Sequence, residues 1–193
     1  RFGKTLNMSM MRYFFEKTEE DRKPLFDGLA IRDDPCFETH HGKYPVIWMT
    51  LKDAKHQEWP ACLDMLRSVI SEEYARHRYL LESDALFPED KKYILSVLNR
   101  EFRMTDDERS LRNLSAYLRR HHGTRVIILT DEYDTPLHSG YIGGYYEEAV
   151  TFIRNFLSGG LKDNEHLFKG VLTGILRVAR ESVFSGLNNP GVY

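Results

Sequence analysis

The chain of 193 residues is 41% hydrophobic and can bury one substantial core, so we expect a single domain over residues 1–193. Its 27 lysines and arginines against 29 acids give a formal net charge of −2, which gives no global reason to expect nucleic-acid binding. The two cysteines, Cys36 and Cys62, form no C-x-x-C pair, and no apolar run approaches the roughly 20 residues of a membrane helix. Since no secretory segment is present either, the sequence predicts a cytoplasmic protein.

The first motif lies at the start of the chain, where Gly3, Lys4 and Thr5 form the closing tripeptide of the phosphate-binding loop G-x-x-x-x-G-K-[ST]. In such a loop Gly3 lets backbone N–H groups approach the phosphates, and Lys4 reaches the β- and γ-phosphate oxygens. The Thr5 hydroxyl ligates Mg²⁺ at a helix N-terminus whose dipole favours anions. The tripeptide predicts a nucleotide site, although it also occurs often by chance.

A helix is predicted to follow this tripeptide directly. Apolar residues at helical spacing, Leu6, Met10 and Phe14 with Met11 and Phe15, predict that these side chains form the apolar stripe of the helix. The chain begins inside the phosphate loop and stops after an Asn-Asn-Pro-Gly turn. We therefore expect a fragment of a longer protein that lacks the strand before the loop.

The second motif is a run of aliphatic residues over 126–129 that ends in acid. Four such residues without polar alternation predict a short strand buried on both faces, as in the middle of a parallel sheet. Asp-Glu after such a strand is the Walker B pattern, in which Asp131 holds Mg²⁺ through its water shell and Glu132 orients and polarises the attacking water. Strands also often end in turn-forming aspartate, and that alternative stays open here.

The remaining elements follow from periodicity and turn signals. Apolar runs predict strands over 46–51 and 169–174, and helical spacing predicts helices over 61–83, 89–102, 107–120 and 145–157. Residues 135–137 are predicted as a loop, followed by a glycine-containing pliable segment. The basic run 119–122 is better explained by cations at the carbonyl end of a helix than by nucleic-acid contact.

These motifs resemble the AAA-ATPase-like domain family of bacterial and archaeal proteins, many of which carry a PD-(D/E)XK nuclease-like domain further along. The matching stretches are 1–7, 126–134, 172–174, 177–179 and 181–189. The resemblance implies an α/β, P-loop NTPase-like parallel sheet flanked by helices and lacking its first strand. It also implies that the Walker B strand lies between the 46–51 strand and the strand containing Val171, and that the absent strand normally lies beside the latter.

The resemblance also assigns roles near the end of the chain. Thr173 stands where AAA-type ATPases place sensor 1, a polar group that contacts the γ-phosphate or the attacking water, although a Thr-Gly strand end without function is equally compatible. Arg177 follows four residues later, close enough to place a cation near the same phosphate. The leading hypothesis is a module that binds ATP, hydrolyses it with Mg²⁺ and switches a neighbouring domain or partner. The alternative is a degenerate P-loop fold that serves as an interaction module without turnover.

Overall fold

The computed structural model describes residues 3–101 and 106–175 of the chain. Its centre is a parallel sheet of three strands, β1 (Val46–Thr50), β2 (Val126–Asp131) and β3 (Leu167–Leu172), in the spatial order β1-β2-β3. Every residue of β2 is buried, as its unbroken apolar sequence predicts for a central strand. The predicted position of β2 between the other two strands is confirmed.

Helices cover both faces of this sheet. They are α1 (Lys4–Phe15), α2 (Cys36–His40), α3 (Trp59–Arg76), α4 (Pro88–Leu98), α5 (Asp106–His122), α6 (Thr135–Gly143) and α7 (Tyr146–Leu161), with 3-10 turns at Lys23–Phe26, Ala30–Asp33 and Arg78–Glu82. The architecture is thus α/β, with long crossovers between parallel strands. Within the described ranges, no helix combines the length and the apolar character that a membrane span requires.

Side chains of β2 alternate between two hydrophobic clusters. Val126 and Ile128 point into the larger one, which α3, α5 and α7 cover, whereas Ile127 and Leu129 point into the smaller one beneath α1. Because successive strand residues face opposite sides, a strand of four aliphatic residues supplies both clusters at once. The two layers of helices are therefore held by one central strand.

The prediction for the apolar face of α1 is partly wrong. Met8 is fully buried and Phe14 is 8% exposed, but Leu6 and Met10 are 64% and 38% exposed. The helix turns Met8 toward β2, so that residues two positions away on either side point outward. Phe14 does not pack with Met8 but lies in a separate aromatic cluster with Phe26 and Phe37.

Two further predictions differ from the structure. The segment predicted as a loop is α6, which Pro136 opens at a position where the missing N–H costs nothing, and which Gly144 closes with a φ of 80°. The helix predicted over 61–83 ends at Arg76 and is followed by the 3-10 turn Arg78–Glu82. Turn chemistry at the ends of these helices explains both differences.

Candidate functional site

The candidate site lies at the carboxyl edge of the sheet, where β2 ends and α1 begins. Gly3 has a φ of 95°, a left-handed conformation that turns the chain into α1 without the steric cost of a side chain. Its carbonyl accepts a helical hydrogen bond from the Asn7 N–H at 2.8 Å. Lys4 and Thr5 are therefore the first two residues of a helix, where backbone N–H groups have no partner within the helix.

Asp131, the last residue of β2, is the centre of the site and is 1% exposed. Its Oδ2 accepts the Thr5 hydroxyl at 2.8 Å, and its Oδ1 accepts both the Thr173 hydroxyl and the Glu132 N–H, the latter at 3.0 Å. A buried carboxyl group without donors is costly, and these three hydrogen bonds satisfy both of its oxygens in this position. Three residues selected from the sequence thus meet around one carboxylate.

Lys4 reaches the same edge from the start of α1. Its Nζ donates to the Gly174 carbonyl at 2.7 Å, next to Thr173. The acceptor is a neutral backbone oxygen, and a charged oxygen makes a stronger hydrogen bond with an ammonium group. The lysine is therefore held at the site by a bond that an anionic ligand can replace.

Glu132 follows Asp131 with a φ of 52°, one of the few positive values at a residue other than glycine. This bend directs its N–H back to the Asp131 carboxylate, while the next N–H, of Tyr133, donates to the Thr173 carbonyl at 3.1 Å. Its side chain is partly exposed, and one carboxylate oxygen lies 3.5 Å from the Thr135 hydroxyl. The Glu132 carboxylate thus stands at the edge of the site and is accessible to solvent.

Two residues that the sequence reasoning did not assign also shape the site. Asp134 is 3% exposed, and its Oδ2 accepts the Ile175 N–H, which fixes the turn after Thr173. A Cβ on Gly174 would lie 2.7 Å from the Tyr133 ring and 2.8 Å from Asp134 Oδ1, so any other residue requires these side chains to shift. The acidic run at 131–134 was a signal for Asp134, whereas the crowding at Gly174 has no counterpart in the sequence.

The oxygen donors of the site fit a magnesium ion. Mg²⁺ in phosphoryl-transfer sites binds through one or two carboxylates and hydroxyls, together with phosphate oxygens and water. The buried Asp131 carboxylate and the Thr5 hydroxyl, 2.8 Å apart, offer such a pair, with neither thiolate nor imidazole bonded to it. The part of the chain that the structure describes contains no group of three or more His, Cys, Asp or Glu side chains suited to a metal, so any Mg²⁺ here depends on ligand oxygens as well.

The remaining predicted site residue, Arg177, lies outside the described residues, as do positions 1–2 and the matching stretch 181–189. Gly3, Lys4, Thr5 and Asp131 are brought together as the two motifs require. Their roles toward a ligand remain predictions.

The class of protein follows from this arrangement: an α/β protein with a parallel sheet flanked by helices, compatible with a P-loop-like fold. The family match is more specific than this fold class. The family model described as Predicted AAA-ATPase matches residues 1–184, and the chain belongs to this AAA-ATPase-like family. No curated protein and no solved structure matches the chain. Membership suggests nucleotide binding.

Proposed function

We propose that the protein binds ATP with Mg²⁺ and hydrolyses it, and that the nucleotide state switches a neighbouring domain or partner. One observation carries this proposal: the Thr5 hydroxyl at the start of α1 lies 2.8 Å from the Asp131 carboxylate at the end of β2. The two motifs are 126 residues apart in the chain and share one point in space, as a common Mg²⁺ demands.

Each residue then has a role. Lys4 binds the β- and γ-phosphate oxygens in exchange for the Gly174 carbonyl, and backbone N–H groups after Gly3 contribute at the helix N-terminus. Thr5 and Asp131 hold Mg²⁺, which when bound neutralises charge on the phosphates. These exchanges convert hydrogen bonds within the protein into bonds to the ligand.

Turnover depends on a second group of residues. Glu132, partly exposed and directly after β2, orients and polarises the attacking water and accepts its proton. Thr173 contacts the γ-phosphate or the water, and Arg177 supplies a cation to the same phosphate. The proposed location is the cytoplasm, and a nuclease-like domain is the neighbouring domain that the family resemblance implies.

A module without turnover is the second candidate, and one feature of the structure favours it. Both oxygens of Asp131 and the Lys4 ammonium already have partners within the protein. Such a site is self-sufficient, and it needs no ligand to satisfy its buried groups. Under this candidate the same contacts simply join α1, β2 and the end of β3.

Variants of the full-length protein separate these candidates. Glu132→Gln should keep Mg²⁺-dependent ATP binding and slow hydrolysis by about 10²–10³-fold, because the amide retains the shape but cannot act as a base. Lys4→Ala should weaken ATP binding itself. Glu72→Gln and Lys92→Ala, on exposed faces of α3 and α4, are the matched controls. Undiminished hydrolysis in both site variants would place the activity elsewhere, and wild-type protein that binds no ATP would favour the interaction module.

A further inference from the structure

A second cleft lies at the opposite edge of the sheet, where the strands begin. Its volume is about 240 Å³, and its walls include four cationic side chains, Arg12, Lys17, Arg22 and Arg76, but a single carboxylate, that of Glu16. Both Val46, the first residue of β1, and the segment just after α1 contribute to it. Arg12, the first residue of α1 to line the cleft, is seven positions from Thr5, so about 10 Å of helix separates the cleft from the first site.

The single carboxylate of the cleft is already occupied. Glu16 is 8% exposed, accepts Arg22 Nη1 at 2.8 Å and Arg76 Nη1, and lies 3.4 Å from Arg12 Nε. Burial alone would raise the pKa of Glu16, but Arg76, Arg22 and Arg12 bring it below its ordinary value. Glu16 therefore remains an anion whose acceptors are used by arginines, and it offers little to a cationic ligand.

Arg76 is likewise committed to the fold. Besides Glu16, its guanidinium donates to the Glu73 carboxylate, with Nε at 2.9 Å and Nη2 at 2.7 Å, and to the Val46 carbonyl. These bonds join the end of α3 to the first residue of β1. Four of the five N–H groups of this guanidinium are used within the protein, so recognition of a ligand in the cleft must come chiefly from its neighbours.

Two cations in the cleft keep unused donors. Lys17 is exposed and forms no ion pair with any side chain in the described ranges, while its backbone N–H donates to the Tyr44 carbonyl at 2.8 Å. Arg12 Nε is buried and ion-paired with Glu16 at 3.4 Å, but the Arg12 side chain is 28% exposed and its two Nη groups donate to no side chain or carbonyl of the described residues. An ammonium and a guanidinium beside one cleft match an oxyanion, for which arginine offers paired donors and lysine a point charge.

His122 also lines the cleft, so its pKa depends on the charges there. Burial, and then the neighbouring side chains of His121, Lys17 and His77, lower the pKa of His122 to about 4. Its imidazole is consequently neutral near pH 7, and its Nε2 forms a hydrogen bond of 2.8 Å with the Tyr79 hydroxyl. Burial, the largest cause of this shift, disfavours charge of either sign, whereas the smaller contribution of Lys17 places that cation within electrostatic reach of the imidazole.

We propose that this cleft binds a small phosphorylated molecule, held chiefly by Lys17 and Arg12. The volume accommodates a ligand larger than one phosphate group, and the unused donors are of the two types that bind phosphate most often. The site is independent of ATP hydrolysis at the other end of α1. The cleft is thus proposed to bind a second ligand and is not an extension of the ATP site.

Histidine NMR tests the proposal on the whole chain. Inorganic phosphate and pyrophosphate, titrated at constant ionic strength, should raise the pKa of His122 by about 1 to 3 pH units, because an anion within reach favours the imidazolium. Lys17→Gln should weaken the response about tenfold in apparent affinity, the loss expected for one charged hydrogen bond. Lys43→Gln, another exposed lysine and one that does not line the cleft, should leave it unchanged.

The same titration contains the outcomes that overturn the proposal. A His122 resonance that does not respond to phosphate refutes the site, and so does an equal response in the Lys17→Gln variant, since Lys17 would then serve only the carbonyl end of α1. An equal response to acetate refutes the preference for phosphate. Repeating the titration with Lys4→Ala separates the two sites, because the His122 response should persist when ATP binding is lost.

Discussion

Glu132 has a positive φ of 52°, and the free-energy cost of this left-handed backbone conformation can be measured. A residue with a Cβ in this left-handed conformation costs roughly 1–2 kcal/mol, whereas glycine adopts it freely but loses about 0.5–1 kcal/mol more chain entropy on folding. Glu132→Gly should therefore be more stable than Glu132→Ala by about 1 kcal/mol. Both variants lose the carboxylate, so the difference between them reports only the backbone.

The same pair of substitutions at Glu72 should give the opposite order. Glu72 is exposed within α3, where alanine is favoured over glycine by about 1 kcal/mol. Urea denaturation measures all four variants, and for a chain of this size each kcal/mol corresponds to about 2–4 °C in thermal midpoint. Hydrolysis should be lost in both Glu132 variants.

The reasoning would be refuted if the Glu132→Gly variant were no more stable than the Glu132→Ala variant while the Glu72 pair behaved as a helix requires. Residue 132 would then not hold a left-handed backbone in solution. If the predicted order holds, the residue proposed to activate water is also one whose native side chain lowers the stability of the fold, as strained functional positions often do.

Two further predictions concern the turn after β3 and the response to acid. Gly174→Ala should weaken ATP binding in a titration without unfolding the protein. The added Cβ would lie 2.7 Å from the Tyr133 ring and 2.8 Å from Asp134 Oδ1, so these side chains must shift, and with them the turn whose carbonyl holds Lys4. Unchanged affinity would show that this turn does not position Lys4. Since the folded pKa of His122, about 4, is below its ordinary value of 6.5, the unfolded chain takes up the proton first, and stability should fall as the pH drops from 6.5 to 4. Urea midpoints at pH 7 and pH 5 should therefore differ less in His122→Gln than in the wild type or in His121→Gln, and identical differences in all three would contradict the assignment.

The sequence was sufficient to predict the central strand and the meeting of its acidic end with the first helix. An unbroken aliphatic run is typical of a strand buried on both faces. The Gly-Lys-Thr and Asp-Glu motifs both serve a Mg²⁺–phosphate site, which requires them to lie close together. The roles that the two motifs give Thr5 and Asp131 on one Mg²⁺ require the two side chains to lie together, and they are 2.8 Å apart. The family resemblance supplied the order of the three strands.

Other features of the site depend on backbone atoms or on exposure, which side-chain patterns do not encode. The Lys4 bond to the Gly174 carbonyl is of this kind, since any residue supplies a carbonyl. The exposure of Leu6 and Met10 was missed because apolar residues occur on both faces of α1, and only the packing of Met8 on the sheet decides between them. The basic cleft was missed because its residues come from distant segments.

The hydrogen bonds of the candidate site join residues that are far apart in the chain. Thr5 and Asp131 are separated by 126 positions, and Lys4 and Gly174 by 170. Contacts of such separation close large loops, and they form late when a chain folds. During synthesis, the start of α1 must therefore remain without these partners until nearly the whole described chain has left the ribosome, whereas Phe14 at its other end packs with the nearby Phe26 and Phe37. Pulsed hydrogen exchange should find the amides of β2 and α5 protected before those at the start of α1, and the reverse order would show that α1 docks by local contacts alone.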